Sequence, residues 1–134
     1  MITPDDHSRD PRGFFLTQVG HAAAGTFTVY VLCIAFVALI GEIPVKWALI
    51  VLGFGLYLGV IELWIQGWRG WDTVEDTAFF GYGFALPMLT FSAEPSGGGI
   101  SGQIDAAAGV MAWGLAHLAG GTYRRWWRKE NAPA

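Results

Sequence analysis

The chain has 134 residues, of which 53% are hydrophobic and 14% charged, and its formal net charge is −3. Four apolar stretches take up so much of this length that no soluble catalytic domain fits beside them, and we expect no nucleic-acid partner and no cofactor. Any function must therefore reside in the apolar stretches, in their short connections or in the two tails.

The apolar stretches have the length of membrane-spanning helices. An α-helix rises about 1.5 Å per residue, so about 20 apolar residues cover the hydrocarbon core of a bilayer, and about 17 is the lower limit. The predicted spans are residues 22–40, 45–65, 77–93 and 104–123, with a polar N-terminal tail at 1–13 and a basic C-terminal tail at 124–134. The sequence thus predicts an all-α bundle of four transmembrane helices, which forms a single membrane domain in contact with lipid.

The third predicted span is the shortest, and it contains Pro87. Proline removes a backbone donor, so it kinks or breaks a helix unless a neighbour satisfies the freed carbonyl. If the helix breaks at this point, the segment is re-entrant rather than spanning, and the two tails lie on opposite sides of the membrane.

Lys and Arg residues decide the orientation of such a bundle, because cytoplasmic connections carry an excess of them. With four spans, both tails and the 66–76 connection share one side, which holds seven of the eight basic residues and leaves only Lys46 on the other. The prediction is a multi-pass protein of the cell inner membrane with both termini in the cytoplasm. Residues 1–13 lack the features of a signal peptide, so we expect the first span to act as the insertion signal.

Small residues repeat along two of the predicted spans. Such stripes let helix backbones approach closely. The members are Gly55 and Gly59 in the second span and Ala108, Ala112, Ala116 and Gly120 in the fourth. The pattern indicates tight helix packing and leaves open whether the partner helix is in the same chain or in a second copy, as in a homo-oligomer.

Polar residues in or beside the spans are the candidates for a functional site, because an ionisable group inside a membrane is costly and needs a partner. Glu62 lies near the cytoplasmic end of the second span, with Gln66 at i+4 on the same helix face and Arg69 at i+7. His21 opens the first span at the same boundary, since that helix runs in the opposite direction.

The other two spans carry polar residues to the same depth. Asp72 and Asp76 precede the third span, and His117 lies about 13 residues into the fourth, a few ångströms inside the same boundary. We therefore predict that His21, Glu62, Gln66, Asp72, Asp76 and His117 converge in one leaflet.

Each of these residues also has a simpler structural role. Asp72 and Glu75 have the acid-x-x-Glu spacing of a helix capping box, and the helix dipole favours His117 near a C-terminus. Histidine and carboxylate could bind zinc or iron, but no closely spaced ligand pair is present, so no metal site is predicted. Glu62 and His21 are harder to explain as structural, and a shared buried hydrogen-bond network is the preferred role for them.

A resemblance to the VanZ-like family of small membrane proteins follows from residues 62–83. The pattern comprises Glu62, Gln66, Arg69, Asp72 and Gly81, together with His21 as the histidine early in the first span. The likeness covers roughly residues 18–85, and it departs from the family at Asp76, where an Asn is usual. It implies a multi-span bundle with a polar cluster near one face, linked in some members to the cell envelope or to glycopeptide resistance.

The size and layout also resemble those of phage holins, which are short, have one to four spans and often end in a basic tail. Self-association through the small-residue stripes would serve such a pore-forming lysis protein. The function predicted first is that of a non-enzymatic, VanZ-like inner-membrane protein with a buried polar cluster. The alternatives are a holin and a membrane enzyme that uses Glu62 and His21 as acid and base.

Overall fold

The computed structural model describes residues 10–42, 46–65, 67, 70–90 and 100–131, without the side chains of 46, 90 and 100–106. Every regular element in these ranges is a helix, so the predicted all-α class is confirmed. The elements are α1 (Pro11–Ile40), α2 (Lys46–Leu56), a π-helix (Tyr57–Ile65) that continues α2 and is called the π segment, α3 (Trp71–Thr90) and α4 (Ile100–Glu130).

Helix α1 begins well before the predicted first span, inside the predicted polar tail. Asp10 caps it, because its side chain accepts a hydrogen bond from the Arg12 backbone N–H at 3.1 Å, and Pro11 occupies the first turn, where no N–H is needed. The helix ends at Gly41, whose φ of 77° suits glycine and whose N–H donates to the Val37 carbonyl at 3.0 Å. Thirty residues make a helix of about 45 Å.

Among the residues that the structure describes, two helices are long and apolar enough to cross a membrane: α1, with a mean hydropathy of 2.3, and Trp47–Ile65, with 2.1. Only 11% and 22% of their most apolar windows are buried. Large side chains such as Leu39, Trp47 and Trp64 instead face outward, more than three-quarters exposed. Of the four predicted spans, two therefore have the length and hydropathy of a membrane-spanning helix in the described structure.

Helices α1 and α3 pack with their backbones in close contact. A Cβ at Gly83 would collide with the Ala22 carbonyl, and one at Gly25 would collide with the Phe80 carbonyl. The Thr26 hydroxyl donates to the Gly83 carbonyl across this contact at 2.9 Å. Glycine at 25 and 83 is therefore required by the fold, since any side chain would force the two helices apart.

The small-residue stripes predicted from the sequence lie on the outer surface of their helices. A Cβ at Gly55, Gly59 or Gly120 would meet nothing within 4 Å. The remaining members, Ala108, Ala112 and Ala116, are exposed. Within the described ranges, the stripes thus face outward instead of packing inside the chain.

The hydrophobic core lies between α1, α2 with its π segment, and α3. It is built from Val29, Leu49, Tyr57, Phe80 and Phe84. The Tyr57 and Phe80 rings stack with their centroids 4.1 Å apart. Helix α4 packs against both α1 and α3.

The two C-terminal helices differ from the prediction at their ends. Helix α3 continues through Pro87 to Thr90, so the described part of this helix does not end at the proline. Helix α4 continues through the basic residues to Glu130, so most of the predicted tail at 124–134 is helical. One of those basic residues, Arg125, turns inward and joins the site described next.

Candidate functional site

Polar side chains meet at one end of the bundle, where α1 and α3 begin and where the π segment and α4 end. They form two groups on different sides of α3. The Glu62 cluster contains Gln18, His21, Tyr57, Glu62 and Asp76. The Glu75 cluster contains Glu75, Tyr82, His117 and Arg125.

The π segment directs Tyr57 and Glu62 to the same side of their helix. In an α-helix, residues five apart point about 140° away from each other, because each residue turns the chain by about 100°. A π-helix closes its hydrogen bonds from i to i+5, so residues five apart lie roughly one above the other. Tyr57 and Glu62 are indeed the two buried residues of this segment.

Glu62 is completely buried, with 0% of its surface exposed. Among the described residues, neither of its carboxylate oxygens accepts a hydrogen bond of ordinary geometry, although the Tyr57 side chain lies close enough to interact with it. One donor atom each of His21, Glu62 and Asp76 lies within 4.8 Å of the other two. An unsatisfied buried carboxylate is costly, so its position between two ionisable groups calls for an explanation beyond packing.

The neighbours of Glu62 are held in place by further hydrogen bonds. The Tyr57 hydroxyl lies 2.7 Å from His21 Nδ1, and the Gln18 amide donates to Asp76 Oδ1 at 2.7 Å. His21 Nδ1 is 3.8 Å from the same Asp76 oxygen. Asp76 lies one residue before the third predicted span, and burial raises its pKa, while the Gln18 hydrogen bond and His21 oppose that shift.

The Glu75 cluster is a polar network, built on the ion pair between Arg125 and Glu75, that connects α3 to α4. Arg125 Nη2 lies 2.8 Å from Glu75 Oε2, and His117 Nε2 lies 3.6 Å from Glu75 Oε1. The Tyr82 hydroxyl lies 3.2 Å from His117 Nδ1, and the guanidinium carbon of Arg125 lies 3.5 Å from the centre of the Phe14 ring. Every charged group in this cluster thus has a partner, which suits a structural role.

The predicted convergence of polar residues is divided between these two clusters. His21, Glu62 and Asp76 come together, whereas His117 lies in the Glu75 cluster. Asp72 is exposed in the first turn of α3. Gln66 and Arg69 lie outside the described residues.

Glu75 does not have the capping role considered for it. Helix α3 already begins at Trp71, so Asp72 lies inside the helix instead of at its N-cap. The Glu75 side chain, 6% exposed, is directed to Arg125 and His117 of α4. The acid-x-x-Glu spacing therefore indicated a helix start correctly but assigned the wrong partner to the second acid.

Sequence reasoning did not identify Gln18, Tyr57 and Arg125 as site residues. Gln18 could have been found, because it precedes His21 by three residues and so shares its helix face. Tyr57 could not, because α-helical spacing places it away from Glu62. Arg125 was assigned to the solvated tail on the strength of its charge alone.

The chemistry available at the Glu62 cluster follows from its donor atoms. One imidazole nitrogen and two carboxylates, brought together from three helices, can hold a cation. The same groups could also exchange a proton as acid and base. Comparisons of this chain with protein-family models, with curated proteins and with solved structures gave no match.

Proposed function

We propose that this chain is a small integral protein of the cell inner membrane that binds a ligand at its Glu62 cluster and catalyses no reaction. In the proposed arrangement four helices span the bilayer, both termini are cytoplasmic, and the cluster lies near the cytoplasmic face. The apolar outer surfaces of α1 and of Trp47–Ile65 support a lipid environment, and the inward direction of the polar residues supports a site within the bundle.

The observation that carries the ligand-binding role is the state of Glu62. A buried polar group that only stabilises a fold has its hydrogen bonds satisfied, as Glu75 does. Glu62 is fully buried and accepts no hydrogen bond of ordinary geometry from the described residues, which costs stability. Binding sites characteristically keep such unfavourable groups, because the ligand supplies the missing interaction.

The VanZ-like resemblance is part of the proposal for the layout of the polar residues, and it names no ligand. Two residues of its pattern, His21 and Glu62, are members of the cluster. Asp76, which stands where that family usually has Asn, is the third ionisable member. The departure from the family pattern thus falls in the cluster itself and adds a second carboxylate to it.

Reporter fusions test the membrane topology. A cytoplasmic reporter should be active after residue 134 and in the 67–70 connection, while a periplasmic reporter should be active within residues 95–99. A periplasmic reporter that is active at residue 134 would contradict the proposed orientation. Release of the protein from membranes by alkaline carbonate would contradict membrane insertion.

The ligand-binding role is tested by the effect of Glu62 on stability. If Glu62 serves a ligand, replacing it with Met should stabilise the ligand-free chain; if it serves the fold, the same change should destabilise it. The sign of the change therefore separates the two roles.

The outward-facing small-residue stripes favour a holin-type lysis protein as a second candidate. Gly55, Gly59 and Gly120 leave flat, open surfaces on which a second copy could pack. Induced expression decides this alternative, because a holin stops respiration and growth abruptly, whereas unaffected growth would eliminate it.

A further inference from the structure

We propose that the Glu62 cluster binds a divalent transition-metal ion through His21, Glu62 and Asp76. The inference rests on the proposed ligand-binding role of the cluster and names the class of ligand. The three donors come from α1, the π segment and α3, and one donor atom of each lies within 4.8 Å of the other two.

The spacing of the donors is close to that of a metal site. A tetrahedral zinc ion about 2.0–2.1 Å from nitrogen and oxygen donors places those donors about 3.3 Å apart. His21 Nδ1 and Asp76 Oδ1 are 3.8 Å apart. The donors thus need to approach by only about 0.5–1.5 Å, which rotation of the two carboxylate side chains provides without movement of the backbone.

The charge of the cluster matches a dication. Two carboxylates face each other, and within the part of the chain that the structure describes no Lys or Arg pairs with Glu62 or Asp76. A bound M²⁺ would neutralise both carboxylates and give the Glu62 oxygens the interaction that they lack. A neutral complex is what a buried, poorly solvated site requires.

Gln18 occupies the position of an outer support. Ligating carboxylates are themselves usually hydrogen-bonded, and the Gln18 amide donates to Asp76 Oδ1 at 2.7 Å. Gln18 is accordingly a positioning residue. The Tyr57 hydroxyl lies 2.7 Å from His21 Nδ1, the nitrogen that is 3.8 Å from Asp76 Oδ1, so a metal bound at this nitrogen replaces the Tyr57 hydrogen bond.

The donor types narrow the choice of metal. Mg²⁺ and Ca²⁺ prefer oxygen ligands alone, and soft ions such as Cu⁺ prefer thiolate and thioether sulfur. One imidazole with two carboxylates suits Mn²⁺, Fe²⁺ and Zn²⁺. Zn²⁺ is the practical probe, and Co²⁺ reports coordination through its visible absorption.

The experiment uses the full chain in mild detergent, with any affinity tag removed and metal stripped by EDTA. We expect one Zn²⁺ per chain by calorimetry, with a Kd below about 10 µM, and a Co²⁺ spectrum that Zn²⁺ abolishes. Glu62→Gln and Asp76→Asn each remove a ligating carboxylate, so each should weaken Zn²⁺ binding by more than about 100-fold, the upper end of what loss of an outer support costs. Tyr57→Phe should not weaken binding, because the Tyr57 hydroxyl competes with the metal for His21 Nδ1.

Two variants control for histidine outside the cluster. His117→Asn alters the equivalent residue of the Glu75 cluster, and His7→Gln alters the remaining histidine of the chain; both should bind Zn²⁺ like the wild type. Far-UV circular dichroism verifies that each variant is folded, and Asp76→Asn gives the result if Glu62→Gln does not fold.

Three outcomes would overturn the metal site: no Zn²⁺ binding by the folded wild type, binding unchanged by both carboxylate variants, or binding lost in His7→Gln. If Zn²⁺ fails to bind while Glu62→Met still stabilises the chain, the metal assignment falls and the proposed ligand-binding role remains. If Glu62→Met destabilises the chain, the proposed function falls as well.

Discussion

The two buried glutamates should respond to the same substitution with opposite signs. The Glu62 carboxylate accepts no hydrogen bond of ordinary geometry from the described residues, and an unsatisfied buried group costs about 1–3 kcal/mol, or more when it is charged. Methionine has a similar length and volume, and its repacking costs less than about 1.5 kcal/mol. We therefore expect Glu62→Met to raise the free energy of unfolding by about 2 kcal/mol in the absence of metal.

Glu75→Met is the matched control, because Glu75 is also buried but is paired with Arg125 and His117. The substitution removes the ion-pair partner of an Arg125 side chain that is only 12% exposed. Breaking one side of such a buried pair costs about 3–5 kcal/mol, so this variant should be strongly destabilised.

The assay is unfolding by SDS titration of the purified protein in mild detergent with EDTA, followed by far-UV circular dichroism. Both variants are compared with the wild type at the same lipid and detergent composition. A loss of about 2 kcal/mol or more for Glu62→Met would show that Glu62 is satisfied in the folded chain and would refute the reasoning.

Two further predictions concern the contacts that hold the cluster in place. Gly83→Ala forces a methyl group against the Ala22 carbonyl, so it should lower the free energy of unfolding by about 1–3 kcal/mol in the same assay. The control is Gly55→Ala, whose methyl group meets no neighbour and which should change this free energy by less than about 0.5 kcal/mol. Equal effects of the two substitutions would contradict the close contact between α1 and α3. Gln18→Leu, Asp76→Leu and the double variant should give a coupling energy of about 1 kcal/mol or more, because a 2.7 Å hydrogen bond joins the two side chains. Strictly additive losses of stability would show that this hydrogen bond is absent in solution.

The sequence was sufficient to predict helices and the end of the bundle at which polar residues meet. Antiparallel helices with short connections bring His21, Glu62 and Asp76 to one depth, and this argument needs only helix rise and chain direction. It does not need to know which helix lies beside which.

The division into two clusters was beyond that argument. Glu75 and Asp76 are consecutive, and neighbouring residues of a helix point about 100° apart. One of them therefore faces α4 and the other faces α1 and the π segment, which only the lateral order of the helices decides. The absence of a closely spaced ligand pair was uninformative for the same reason, since the donors come from three helices.

The π segment contains one residue more than a regular α-helix would need to place Tyr57 and Glu62 on the same face. Between Tyr57 and Glu62 the chain has a spacing of five, whereas two residues on one face of an α-helix are normally three or four apart. The segment therefore has the form of a single-residue insertion whose effect is confined to the π-helical turns. The residues of α2 before it keep their orientation towards the core. It follows that deleting one residue within 58–61 could let the helix close in α-helical register while both side chains still point at His21.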